Sequence, residues 1–177
     1  MKDNLPNGQS YLCGQANEPL LYETIGACLE RIASTYPQQP ALVVRHQNIR
    51  WTYADYQQRI DALATGLLAM GVNPSDRVGI WSPNRVEWCL TQFATAKIGA
   101  IMVCINPAYR LYELEYALNK VECKALIAAE SFKSSEYLQM LQTLAPELAQ
   151  CAPGALASAK LPHLKSVVRM GEGETPG

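Results

Sequence analysis

The sequence predicts an α/β fold: a mostly parallel sheet with helices on both faces, preceded by a helix and a β-hairpin. Three observations carry that reading. Four short apolar runs, RVGIW (77–81), IMVCI (101–105), KALIAAE (124–130) and SVVRM (166–170), are continuous rather than alternating, as strands covered on both faces must be. Stretches with helical spacing stand between them, so strands and crossovers alternate. Glycine, proline and asparagine punctuate the junctions. The clearest case is WSPNRVEWCLTQFATAKIGAIMVCINPAYR (81–110), where two successive strand runs each break off at Asn and Pro.

Each element has a local reason. Residues 1–23 are polar and irregular and read as an extended arm. Thr24 is placed to cap a helix whose apolar face is Ile25, Cys28, Leu29, Ile32 and Tyr36, closed by Pro37. ALVVR and IRWTY, separated by His46-Gln47-Asn48, form a hairpin. Thr52 with Asp55 makes a capping box for a helix through Tyr56, Ile60, Leu63, Leu67 and Met70. Gly71 ends that helix, with Val72 set for a Schellman contact.

The repeated strand–helix units begin at residue 77. Asn84 and Glu87 have capping-box spacing for a helix over 85–98 that is apolar on most sides. A helix over 111–121 carries Leu111, Leu114, Leu118 and Val121, and Ser134 and Ser135 open another through Leu138, Leu141 and Leu144. The stretch APELAQCAPGALASAKLPHLK reads as irregular, and GEGETPG (171–177) as a polar tail.

Composition narrows the function classes. With 177 residues, 49% apolar and 18% charged, the chain suits one domain, or a large piece of one, with a real core. Fifteen basic and 16 acidic residues are spread evenly and form no basic stripe, which argues against nucleic acid as a partner. No apolar run has the length of a transmembrane segment, and MKDNLPNGQS lacks the apolar core of a signal peptide. A cytoplasmic location is the expectation. The six cysteines fall at wide gaps without metal spacing, and no disulfide framework is expected.

Catalytic motifs are not visible. Neither G-x-x-x-x-G-K-[ST] nor a strand-following G-x-G-x-x-G occurs. His46 and His163 have no motif partners. Cys104 lies near a strand's carboxyl end, where a nucleophile could sit, but its neighbours Val103 and Ile105 predict a core thiol. Trp51, Trp81 and Trp88 lack interleaved basic residues and are read as core and rim packing.

In an open parallel sheet, ligands collect at the strands' carboxyl ends, where both Asn/Pro breaks lie. Asn84 is read as a helix cap or a ligand-facing residue. At Asn106 no cap is obviously needed, and a strand-ending turn competes with a site role. Arg110 could meet an anion or stand as a solvated charge at a helix start.

WTYADYQQRIDALATGLLAMGV and GIWSPNRVEWCLTQFATAKIGAIMVCINPAYRLYELEYALNKVECKALI resemble two successive blocks of the adenylate-forming superfamily, the acyl-CoA synthetases and their luciferase and peptide-synthetase relatives. The wording is most similar to the medium-chain fatty acyl-CoA synthetase branch, as is APGALASAKLPHLKSVV. The match runs from about Leu21 to Met170.

The resemblance implies ATP, Mg2+ and coenzyme A as cofactors of a parent enzyme and a fatty acid as its substrate. The carboxylate attacks the α-phosphate of ATP, pyrophosphate leaves, and the thiol of coenzyme A then takes the acyl group and releases AMP. That family's Ser/Thr/Gly-rich phosphate loop, Tyr-Gly-x-Thr-Glu segment, ribose-binding Asp and C-terminal lysine have no counterpart in these 177 residues.

Residues 24–170 are therefore expected to be the N-terminal portion of the adenylation large domain. The chain is expected to be inactive alone and to bind no cofactor tightly, with the remaining subdomains of the same polypeptide as its partners. Apolar surface and self-association are expected of it too. No catalytic residue carries over; Asn84, Asn106, Tyr109 and Arg110 are the substrate-side candidates. Two rivals are a stand-alone binding or scaffolding module and an unrelated flavodoxin-like enzyme using the 81–110 loops.

Overall fold

The computed structural model describes residues 20–176, so most of the arm read at 1–23 lies outside the described residues. Helix α1 (Ile25–Thr35) starts where Thr24 Oγ1 accepts the Ala27 amide at 3.1 Å. Its inward face differs from the expected stripe. Gly26, Leu29 and Ala33 are buried, while Ile25 and Tyr36 are 60% and 52% exposed. The small residues allow close approach: a Cβ on Gly26 would stand 3.1 Å from Lys97 Cγ.

Strands β1 (Pro40–Val44) and β2 (Ile49–Thr52) form the antiparallel hairpin. A short 3₁₀ turn over Arg45–Gln47 joins them, and Asn48 takes the left-handed conformation at φ 52° that asparagine tolerates. Helix α2 (Tyr53–Ala69) has the expected capping box, with Asp55 accepting the Thr52 amide at 3.0 Å. It also has the expected Schellman end, where Val72 N donates to Leu67 O and Gly71 N to Leu68 O.

Four strands build the main sheet: β3 (Arg77–Trp81), β4 (Ile101–Ile105), β5 (Cys123–Ala128) and β8 (Ser166–Arg169), in the order β4-β3-β5-β8 and all parallel. Helix α3 (Val86–Lys97) links β3 to β4, and α4 (Leu111–Lys120) links β4 to β5. After β5 come the two-residue strands β6 (Ser131–Phe132) and β7 (Ser135–Glu136), then α5 (Tyr137–Leu144). The chain leaves β3 toward one edge and leaves β4 toward the other. Right-handed crossovers then put α3 on one face and α4 and α5 on the opposite face. The packing agrees: α1, α2 and α3 contact one another, and α4 contacts α5. The predicted α/β architecture is the observed one.

The centre of the sheet is dry. Val78, Ile80, Trp81 and Leu126 have no exposed surface. Gly79 lets β3 and β5 meet closely, since a Cβ there would fall 2.9 Å from Leu126 Cδ1 and 3.0 Å from Cys123 Sγ. Charges fasten the amino end of the sheet. Lys124 Nζ meets Asp76 Oδ2 at 2.6 Å, and Arg77 Nε donates to Val121 O at 2.6 Å at the end of α4.

Four expectations need correction. Asn84 does not cap α3: Arg85 holds the N-cap position without a side-chain bond, and Gln47 of the hairpin turn accepts the Val86 amide at 2.7 Å. Cys104 is exposed rather than core, because β4 is an edge strand in which only Ile105 is buried. Ser134 and Ser135 do not open α5; Ser135 pairs with Phe132 in the β6–β7 hairpin, and the helix begins two residues later. The stretch before β8 is more ordered than expected. It contains a 3₁₀ turn at Pro146–Ala149 and is pinned by the buried side chains of Leu148, Leu156, Leu161 and Leu164.

Candidate functional site at the carboxyl edge of the sheet

Adjacent strands whose helices leave to opposite faces open a crevice at their carboxyl ends. This sheet has two such places, between β4 and β3 and between β3 and β5. The loops 82–85, 106–110 and 129–136 converge there. The register sets Trp81 beside Ile105 on one side and beside Ala128 on the other.

Trp81 organises the edge. It is fully buried, its ring stacks on Tyr137 at 3.6 Å and 14°, and its Nε1 donates to Asn106 O at 3.1 Å. Tyr137 in turn donates its hydroxyl to Pro107 O at 2.5 Å, and burial pushes its pKa up to about 12. The two aromatic side chains thus hold the Asn-Pro loop from β3 and from α5. Trp88 Nε1 donates to Ser82 O at 3.0 Å and fixes the other loop in the same manner.

Three of the four predicted residues share one loop. Asn106 is exposed, yet its Oδ1 accepts the Ala108 amide at 2.9 Å, so its side chain shapes an Asx turn. Tyr109 is half-buried against the core, and its amide donates to Asn106 O at 3.0 Å. Arg110 stands at the N-cap of α4: Glu113 Oε2 accepts its amide at 3.1 Å, and its guanidinium donates to the buried Ser135 at 2.7 Å. Asn84 stands apart on the neighbouring loop, exposed and with no side-chain bond among the described residues.

Sequence reasoning missed a polar cleft of about 270 Å³ across the ends of β3, β5 and β8, lined by Pro83, Arg85, Glu130, Ser131, Arg169 and Glu172 among others. No motif marks these residues, which come from loops up to about ninety positions apart in the chain. Their cations are already engaged: Arg85 with Glu87 at 2.9 Å and Arg169 with Glu130 at 3.1 Å. Burial would raise the Glu87 carboxyl, but hydrogen bonds from Arg85, its own amide and Gln47 outweigh it and hold Glu87 below its ordinary pKa. Both arginines thus have carboxylate partners, although Arg169 Nε is buried without one, and no group of three metal-ligating side chains occurs among the described residues.

What this edge belongs to is decided by similarity. The AMP-binding enzyme family matches residues 29–169, well over half of the chain. The chain belongs to that family. A bovine relative named medium-chain acyl-CoA ligase ACSF2, mitochondrial, is 45% identical over 96% of this chain, so its match reaches back to Gly8 or earlier. A Bacillus subtilis relative named putative acyl-CoA synthetase YngI is 40% identical over 89%. The chain spans 28% and 29% of the lengths of these two relatives.

Among solved structures, a putative long-chain-fatty-acid CoA ligase from Rhodopseudomonas palustris superposes with a TM-score of 0.70 at 27% identity, covering 87% of this chain and 34% of that one. A Mycobacterium tuberculosis fatty acyl CoA synthetase does so at 0.68 and 25%, covering 82% and 26%. The N-terminal subdomain of NpsA from Klebsiella oxytoca shares the fold over 59% of this chain, with a TM-score of 0.55.

Proposed function

We propose that these residues form the N-terminal portion, 24–170, of the adenylation large domain of an ATP-dependent fatty acyl-CoA ligase, and that they are inactive alone. The observation that carries this reading is 45% identity to a named medium-chain acyl-CoA ligase over 96% of the chain, in an order of elements shared with acyl-CoA synthetase structures. In the whole enzyme, ATP with Mg2+ would activate the fatty acid carboxylate, and coenzyme A would accept the acyl group.

The role of this portion is to hold a rigid edge. Trp81 and Tyr137 lock the 106–110 loop, and paired charges keep the 82–85 and 129–136 loops in register. Asn84, Asn106, Tyr109 and Arg110 then face the remaining subdomains on the substrate side. Exposed Ile101, Leu111, Tyr112 and Tyr116 are surface those subdomains or a second copy would cover, giving self-association when they are missing. A cytoplasmic location remains our reading, set against the word mitochondrial in the mammalian relatives' names.

The test is to read the native gene past the Gly177 codon and to assay both products for fatty-acid-dependent release of AMP and pyrophosphate. A continuing frame with a Pro-Lys-Gly phosphate loop, active when complete and silent as 177 residues, is the expected result. Adenylation by the 177 residues alone would overturn the reading. A stop codon would favour the binding-module alternative.

A further inference from the structure

The β1–β2 hairpin carries a polar recess of about 190 Å³, lined by Val43, Arg45, Asn48, Ile49 and Arg50. The hairpin itself builds it. Val43 pairs with Arg50 and Val44 with Ile49, and the Asn48 amide donates to Arg45 O at 3.1 Å, which closes the turn. Gln47 does not line the recess; its side chain reaches α3, where it accepts the Val86 amide and donates to Glu87. Arg45, Asn48 and Arg50 are left exposed.

We propose that this recess binds a phosphoryl group, held between the Arg45 and Arg50 guanidiniums with the Asn48 side-chain amide as a third donor. Their lack of partners carries the argument. Arg31, Arg77, Arg85 and Arg169 each pair with a carboxylate and Arg110 with Ser135, while Arg59 lies over Trp51 at 4.4 Å. Arg45, Arg50 and the Asn48 side chain have no such partner among the described residues. No Asp or Glu occurs between Glu30 and Asp55 in the sequence. Glu87, which accepts a bond from Gln47 of the turn, is already engaged with Arg85.

Two cations that line one recess with no carboxylate between them repel each other, and an anion placed there turns the repulsion into attraction. A phosphoryl group suits these donors. Guanidinium forks match its oxygens bidentately through charge-assisted bonds, and an amide can serve an oxygen that remains. A carboxylate has only two oxygens for the same three donor groups. Val43, 47% exposed beside Arg50, adds an apolar rim and no donor. Free phosphate and a lipid headgroup share this chemistry, and a recess lined by exposed residues admits either.

The test titrates the whole 177-residue chain, isotope-labelled for NMR, with inorganic phosphate at constant ionic strength. Saturable shifts confined to the amides of residues 43–50 are expected. Arg45→Gln and Arg50→Gln should each weaken binding about tenfold, the loss of a charge-assisted bond. Both side chains are exposed and bond to nothing described, so the variants fold, as unchanged urea melts would show. Asn48→Gly keeps the left-handed turn and should weaken binding several-fold, whereas Arg59→Gln, outside the recess, should leave it unchanged. Cosedimentation with phosphatidylcholine vesicles, with and without phosphatidic acid, separates the sources. Binding that needs phosphatidic acid and is lost in both arginine variants assigns the headgroup; saturable phosphate binding without vesicle binding assigns a soluble phosphate. Shifts that stay linear and spread over the surface, or an affinity unchanged in both arginine variants, would overturn the proposal.

Discussion

Removing the Tyr137 hydroxyl tests the clamp on the Asn-Pro loop in a way that separates packing from ionisation. Tyr137→Phe keeps the ring that stacks on Trp81 and deletes only the 2.5 Å bond to Pro107 O. At pH 8 the loss should be about 1 kcal/mol, the net worth of one hydrogen bond whose acceptor is half-open to water. The pH dependence is the sharper readout.

Burial raises the Tyr137 pKa from 10.0 to about 12, so between those values the unfolded chain releases the proton while the folded one keeps it. The unfolded state then binds fewer protons, and stability falls as pH rises through that window. At pH 11, midway, the one-residue contribution is about 1.4 kcal/mol. The wild-type chain loses that amount between pH 8 and pH 11, and the phenylalanine variant does not. Urea melts at the two pH values should show the variant less stable by about 1 kcal/mol at pH 8 and more stable than wild type by about 0.4 kcal/mol at pH 11. Tyr56 and Cys123, also raised by burial, add the same alkaline slope to both proteins and cancel in the difference. A gap between the two proteins that stays constant with pH would refute the reasoning.

Three further outcomes follow from single contacts. Gln47→Ala removes the acceptor for the Val86 amide and the donor to Glu87, and should lower stability by about 1 kcal/mol, read by urea melts. Asn84→Ala should change stability by less than about 0.5 kcal/mol, since the side chain bonds to nothing described; a loss of a full cap's worth would restore the sequence expectation. Gly79→Ala should destabilise by about 1–3 kcal/mol through overpacking against Leu126 and Cys123, and thermal unfolding would measure it.

Most of the fold was legible in local patterns. The runs at 77–81 and 101–105 are strands to the residue, and the Thr52–Asp55 box and the Gly71–Val72 ending are backed by hydrogen bonds. These signals act within a few residues, so a linear reading can find them. Misreadings occurred where a distant partner decided the outcome. Gln47 took the capping role from Asn84 across 39 positions. Cys104 sits in an apolar run, but only strand order shows that β4 is an edge. The arginines at 85 and 169 meet in one cleft because β3 and β8 flank β5, which no spacing reveals.

The two Asn-Pro breaks now have different physical accounts. After β4, Asn106 makes the turn itself: its side chain takes the Ala108 amide and its carbonyl takes both the Tyr109 amide and the Trp81 indole. After β3, Pro83 and Asn84 only carry the chain to α3, and the structural roles pass to Ser82 O, Gln47 and Trp88. A loop fixed by its own side chain has that side chain spent on structure. A loop fixed by its neighbours leaves its own side chain free. By that criterion Asn84, the residue whose capping role failed, is the more available of the two asparagines for a contact with the rest of a larger enzyme, and Asn106 is better understood as the hinge pin that sets where Tyr109 and Arg110 stand.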